Sequence, residues 1–252
     1  MSPGPDKLWH TQFFSESALG LLMVTILITG TNRGIGLEFT KQYLVKGFHV
    51  IATCRNPHNA ETLSSLDVGQ GKLEVLQLDV SDRDSMDTFA DRLDNTAIDI
   101  FINNAGVYGP DNLHFGNVDA ETWLSVLQVN TLAPLLLTQL LMPRLLAGED
   151  KKLIYISSKV GSIADNRGGA GYMYRSSKAA LNQVVKSLSI DLAGDGFIAA
   201  VLHPGWVLTD MGGPNALIDT QTSVAGLMQV IDSLGSWQNG TFINYDGAEI
   251  PW

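Results

Sequence analysis

Cysteine is nearly missing from this chain: Cys54 stands alone, so no disulfide closes within it and nothing in its cysteine usage calls for an oxidising compartment. The cytosol is the expected setting. Basic residues are scarce too, 16 Lys and Arg against 26 Asp and Glu, and a formal net charge of −10 leaves no concentrated cationic surface for nucleic acid. The amino end lacks a hydrophobic run of spanning length. Its most apolar stretch, "SALGLLMVTILI", is too short from Ala18 to Ile28 to cross a bilayer, and Thr29-Gly30 follows where a signal peptide would need a small-residue cleavage site. Neither a nucleic-acid partner nor a membrane partner is expected. Small-molecule chemistry fits better.

What remains is rich in core-forming residues. A chain of 252 residues, 45% hydrophobic and 17% charged, can bury a substantial interior and suits one α/β domain over residues 23–252. Residues 1–22 show no clear periodicity and are expected to form a flexible extension, with Met23 as an alternative natural start. From Val24 the pattern alternates. "TILITG" is a β-branched run, "GLEFTKQYLVKG" has helical spacing and closes on Gly47, and "FHVIAT" and "KLEVLQLDV" read as strands. "SDRDSMDTFADRL" reads as a helix capped by Ser81, and "IDIFINNAG" as a strand ending in turn residues. The apolar stretch from Glu121 to Leu146, "KLIYISS", a helix from Tyr172 to Leu192, and "FIAAVLHPG" continue the alternation. Strand and helix alternating this way predict a single-domain, Rossmann-type doubly wound parallel sheet with helices on both faces, because each crossover must return over the sheet.

The first turn carries chemistry. "TGTNRGIG" places Gly30, Gly34 and Gly36 between strand and helix, where small residues permit a tight turn and the helix amino terminus faces a pyrophosphate. No Gly-Lys-Ser/Thr follows, so it is not a Walker loop. A glycine turn that binds nothing is the competing reading. At the end of the second strand, "IATCRN" puts Arg55 where an NAD-binding chain would carry a carboxylate, and Arg33 adds a second cation. Two guanidinium groups favour the 2′-phosphate of NADP(H) over a free ribose hydroxyl. Solvated arginines would be the alternative.

Further along, "GYMYRSSKAALNQ" sets Tyr174 and Lys178 four residues apart on one helical face. An ammonium beside a phenol stabilises the phenolate, so Lys178 is expected to pull the Tyr174 pKa down from about 10 toward working pH. Ser158 follows an apolar strand at the carboxyl edge of the sheet and can orient a carbonyl, with Ser157 and then Ser162 as alternatives. His203 has the spacing of no metal site, and no metal is expected.

Taken in order, Thr29-Gly30-x-x-x-Gly34-x-Gly36, "NNAG" from Asn103 to Gly106, Asn130, Ser157-Ser158, Tyr174-x-x-x-Lys178 and "HPGWVLT" resemble the short-chain dehydrogenase/reductases. "TNRGIG", "ATCR" and "YDGAEIPW" look most like the subgroup of sniffer-type carbonyl reductases and bacterial C-factor proteins. The resemblance implies an NADP(H)-dependent oxidoreductase in which Tyr174 protonates a carbonyl oxygen as hydride arrives, Lys178 bonds the nicotinamide ribose, Ser158 orients the substrate, and Asn130 carries a water-mediated proton path to the lysine. It further implies cofactor contacts from Asn32, Arg33 and Ile35 in the glycine turn, from Asp79 and Val80 at the adenine, and from Asn104, Ala105 and Gly106 beside its ribose. Pro204, Gly205, Val207 and Thr209 would wall the nicotinamide. Tyr108, Trp206 and Met211 are candidate pocket residues, and "MGGPNAL" a candidate lid. Apolar helices such as "TLAPLLLTQLLMPRLL" lead us to expect a homodimer. A C-factor-like signalling protein with little turnover is the second reading, and an epimerase or dehydratase acting on nucleotide-linked sugars, which usually has a larger carboxyl-terminal domain, is the third.

Overall fold

The computed structural model describes residues 23–110 and 114–252. The expected extension, residues 1–22, lies outside the described residues. Seven parallel strands form one sheet in the order β3-β2-β1-β4-β5-β6-β7. They are β1 (Thr25–Thr29), β2 (His49–Cys54), β3 (Lys72–Gln77), β4 (Ile100–Asn103), β5 (Lys152–Ile156), β6 (Ile198–His203) and β7 (Phe242–Asn244). The helices are α1 (Gly34–Val45), α2 (Glu61–Ser64), α3 (Arg83–Arg92), α4 (Ala120–Leu127), α5 (Ala133–Leu146), α6 (Tyr172–Asp191) and α7 (Thr220–Ser233).

Central strands are apolar on both faces because both faces are covered. Ile26 and Ile28 of β1 pack with Phe39 and Leu44 of α1 and with Val224 and Leu227 of α7. Leu27, one residue out of step, joins Leu137, Leu141 and Leu181 on the opposite face. The chain winds outward from β1 through β2 to β3, then returns to place β4 on the other side of β1. Such a reversal opens a crevice at the carboxyl ends of β1 and β4.

Two local expectations need correction. Asp82, not Ser81, caps α3, its carboxylate accepting the N–H of Asp84 at 3.0 Å, while the Ser81 hydroxyl turns back to Asp79. The apolar stretch from Glu121 to Leu146 is not one regular helix, since α4 and α5 are joined by a π-helical turn, Gln128–Leu132. Ala120–Leu146 as a whole is long and apolar enough to cross a membrane. Its inner face is nonetheless in the core: Leu137, Leu141 and Leu145 are fully buried, and Thr138 shares a 2.7 Å hydrogen bond with the Tyr155 hydroxyl.

Candidate active site

At the head of β1, the Thr29 hydroxyl accepts the N–H groups of Asn104 and Ala105, both at 3.0 Å. The Asn104 amide returns the tie, donating to the carbonyls of Thr29 at 2.9 Å and Gly30 at 3.0 Å. The glycine turn and the turn after β4 are thereby one rigid unit. Gly36 makes this possible, because a Cβ there would stand 2.2 Å from the Gly30 carbonyl oxygen and 2.6 Å from the Asn104 amide. No side chain caps α1, whereas Asp82, Asp119 and Asp219 cap α3, α4 and α7. The free N–H groups of α1 are left facing a cleft of about 660 Å3.

Gly30, Asn32, Arg33, Gly34, Ile35 and Gly36 line that cleft on one side, and Arg55, Asp79 and Val80 line its outer end. Asn104, Ala105, Gly106, Ser157, Tyr174, Lys178, Pro204, Thr209 and Met211 are among the residues that line the remainder. Uncapped helix, small-residue turn and outer cations together fit a dinucleotide with a phosphorylated ribose. Gly205 and Val207 lie behind the wall: Val207 is 4% exposed and pairs with Ile218, and Gly205 backs onto Tyr245. The "MGGPNAL" segment is tied at its base by that pairing and by the Trp206 Nε1 bond to the Gly212 carbonyl at 2.7 Å.

The inner end is densely bonded. Lys178 is 4% exposed and its Nζ donates to the Ile156 carbonyl at 3.0 Å. Tyr174 projects from the same face of α6, its ring centre 5.8 Å from that nitrogen. Asn130 is fully buried at the π-helical turn and bonds the Val107 backbone, with a further 3.0 Å bond to the Ser177 hydroxyl. Gly106 sits close to both: a Cβ there would crowd Asn130 Oδ1 at 3.2 Å and touch Lys178 Nζ at 3.4 Å. Of the serines, Ser157 borders the cleft but its hydroxyl is engaged, donating to Asn182 at 2.7 Å, and Ser162 holds the Trp252 carbonyl and the Asp165 N–H. Ser158 is the one whose hydroxyl influences Tyr174. The long segment between them is pinned by a Lys159–Asp165 ion pair at 3.2 Å and a 2.9 Å bond from Ala164 to Trp252.

The expected drop in the Tyr174 pKa does not occur. Burial pushes it up to about 12, the Ser158 hydroxyl opposes the rise and the Tyr108 phenol adds to it. Burial also pulls the Lys178 amine down to about 8. With its Nζ directed at a carbonyl and set over the ring rather than at the phenol oxygen, Lys178 does not offset the desolvation. Tyr174 therefore carries its proton at neutral pH. His203 is pulled down to about 4 by burial and is neutral there, and no group of potential metal ligands occurs among the described residues.

Sequence reasoning missed Asp210. Its carboxylate pairs with Arg33 across the cleft, 177 residues away in sequence, and no local signal announces the contact. Arg55 is exposed and makes no hydrogen bond or ion pair among the described residues.

Residues 24–217 match the family model described as short chain dehydrogenase. The chain belongs to the short-chain dehydrogenase family. Among curated relatives of this short-chain dehydrogenase, C-signal of Myxococcus xanthus is 42% identical over 167 residues, 66% of this chain and 100% of that protein. Among solved structures, the carbonyl reductase Sniffer of D. melanogaster superposes with a TM-score of 0.83 at 36% identity, covering 91% of this chain and 100% of that one. The NADPH-bound carbonyl reductase from chicken fatty liver gives a TM-score of 0.84 at 34% identity, covering 92% and 100%.

Proposed function

We propose that this protein is an NADP(H)-dependent carbonyl reductase acting on small carbonyl or alcohol substrates, with Tyr174 as general acid and base. The observation that carries the reading is the placement of Tyr174: a half-buried phenol on the wall of a cleft that the glycine turn also lines, with the Lys178 Nζ 5.8 Å from its ring centre. NADPH, when bound, supplies the hydride. Ser158 orients the carbonyl, Tyr174 donates the proton to its oxygen, and Lys178, a cation below about pH 8, holds the nicotinamide ribose. Asn130 holds the turn at Gly106 and Val107 and leads a proton path to Lys178. Arg55, with Arg33, receives the 2′-phosphate, and the NADPH bound to the chicken enzyme supports that choice. Initial rates with aldehydes, ketones and quinones, each run with NADPH and with NADH, test the reading. Reduction of at least one carbonyl with NADPH preferred is expected, and indifference to the 2′-phosphate overturns the cofactor choice.

The identity to C-signal favours a second reading, a cofactor-binding signalling protein with little turnover. Mere binding does not require Tyr174, Ser158 and Lys178 to be assembled, so turnover separates the two. The one buried cysteine supports a cytosolic setting. Leu124, Leu132 and Leu146 on the long helix and Ile190 on α6 are exposed and support a homodimer, which light scattering at micromolar concentration tests.

A further inference from the structure

Asn130 does more than brace two helices. Its amide oxygen accepts the Val107 N–H at 2.9 Å and its amide nitrogen donates to the Val107 carbonyl at 2.8 Å, so one buried side chain fixes both polar groups of that residue. The same nitrogen reaches the Ser177 hydroxyl at 3.0 Å, and that hydroxyl donates to the Tyr174 carbonyl at 2.8 Å. The next residue after Val107 is Tyr108. Its ring centre lies 4.7 Å from that of Tyr174, with the planes tilted by 37°. A tilted aromatic pair at this separation is in contact, and contact restricts how far either ring can swing about its Cβ–Cγ bond.

We propose that Tyr108 is a positioning residue of the reductase, holding the Tyr174 phenol in the rotamer that delivers its proton and itself anchored by the Asn130–Val107 clamp. The inference rests on the reading of Tyr174 as the proton donor. Helix geometry limits the first torsion of Tyr174 but leaves the ring free about the second. Displacement of a reacting group by a fraction of an ångström costs catalysis heavily, so a neighbour that fills the space beside the ring acts on rate without touching substrate. Among the described residues, the Ser158 hydroxyl from the loop after β5, Lys178 from its own helix and the Tyr108 phenol from the loop after β4 bear on the phenol. Asp210, on the loop after β6, pairs with Arg33. Of the three, Tyr108 alone meets the ring from outside α6 with another ring. It is 43% exposed, so its outer face stays open toward solvent.

The test compares Tyr108→Ala and Tyr108→Phe with the parent protein, reading kcat, KM for NADPH, and the ring signals of isotope-labelled tyrosine, with Tyr174 assigned by their loss in Tyr174→Phe. In Tyr108→Ala, kcat falls by about tenfold while KM for NADPH holds, the scale of a modest misplacement. Phe at that position recovers most of the loss. The Tyr174 ring signals shift and average in the Ala variant and stay near the parent's in the Phe variant. Should Tyr108→Ala fail to fold, Tyr108→Leu removes the ring while keeping bulk. A parent-like kcat in the ring-free variant, with Tyr174→Phe inactive, overturns the inference and leaves the reductase reading standing. If the parent reduces no carbonyl, that reading fails on its own, and unchanged Tyr174 ring signals without Tyr108 overturn the positioning role independently.

Discussion

The two ends of the cleft are built on opposite terms. At the inner end Asn130, Lys178 and Ser177 are buried and bonded, and a methyl group on Gly106 would press against Asn130. At the outer end Arg33 and Arg55 stand in solvent, the first paired with Asp210, whose side chain is 75% exposed, and the second with no partner among the described residues. Where a proton must be delivered to one atom, geometry is fixed beforehand by packing and hydrogen bonds. Where a phosphate must be recognised, charge and reach suffice, and the side chains remain free to adjust. Changes at the inner end should therefore act on rate, and changes at the outer end on cofactor preference.

The largest expected effect breaks the inner end. Tyr174→Phe keeps the ring's packing and removes the donor, so kcat should fall about 10²-fold or more while NADPH binding, followed by fluorescence titration, is retained. Next comes the outer end. Arg55→Asp removes a charge-assisted contact and sets a carboxylate against the 2′-phosphate, lowering the NADPH-to-NADH ratio of kcat/KM by about tenfold to a hundredfold. An unchanged ratio would show that Arg55 plays no part.

A smaller effect comes with pH. Lys178 has its pKa pulled down to about 8, so it is a cation below that value and neutral above it, while Tyr174, pushed up to about 12, keeps its proton across the range. Carbonyl reduction should run level up to about pH 7, halve near pH 8 and lie about tenfold below its plateau near pH 9. A flat profile to pH 10 would mean that the cationic lysine is dispensable. Smallest of all is Asp210→Asn. Freeing Arg33 from an exposed ion pair should raise NADPH preference by no more than about fivefold, the scale such pairs reach. A larger change would place Asp210 in direct contact with the cofactor.

Strands and helices were legible because hydrophobic period and turn residues are local: β1 and β3 lie within the runs that periodicity marks, and β2 overruns its run by one residue, Cys54. Tyr174 and Lys178 were legible for the same reason, their spacing being a property of one helix. The π-helical turn was not, since an inserted residue leaves "LQVNTLAPLL" as apolar as before; Asn130, polar in that setting, was the one mark of it. Reasoning from charge separation alone gave the wrong sign for Tyr174, because desolvation depends on everything packed around the ring. The Arg33–Asp210 pair, the engagement of the Ser157 hydroxyl by Asn182 and the withdrawal of Gly205 and Val207 behind the wall all depend on segments distant in sequence.

Hydride transfer that depends on Tyr174 is the central claim, and one isotope experiment addresses it. NADPH deuterated at both positions on C4 of the dihydronicotinamide is mixed with the protein and an aldehyde or ketone from the active panel, and the alcohol is analysed by mass spectrometry and NMR. The account predicts one deuteron on the carbinol carbon and a solvent-derived proton on the oxygen, with product lost in Tyr174→Phe although NADPH still binds. An alcohol free of deuterium, or one formed as fast by Tyr174→Phe, would contradict it.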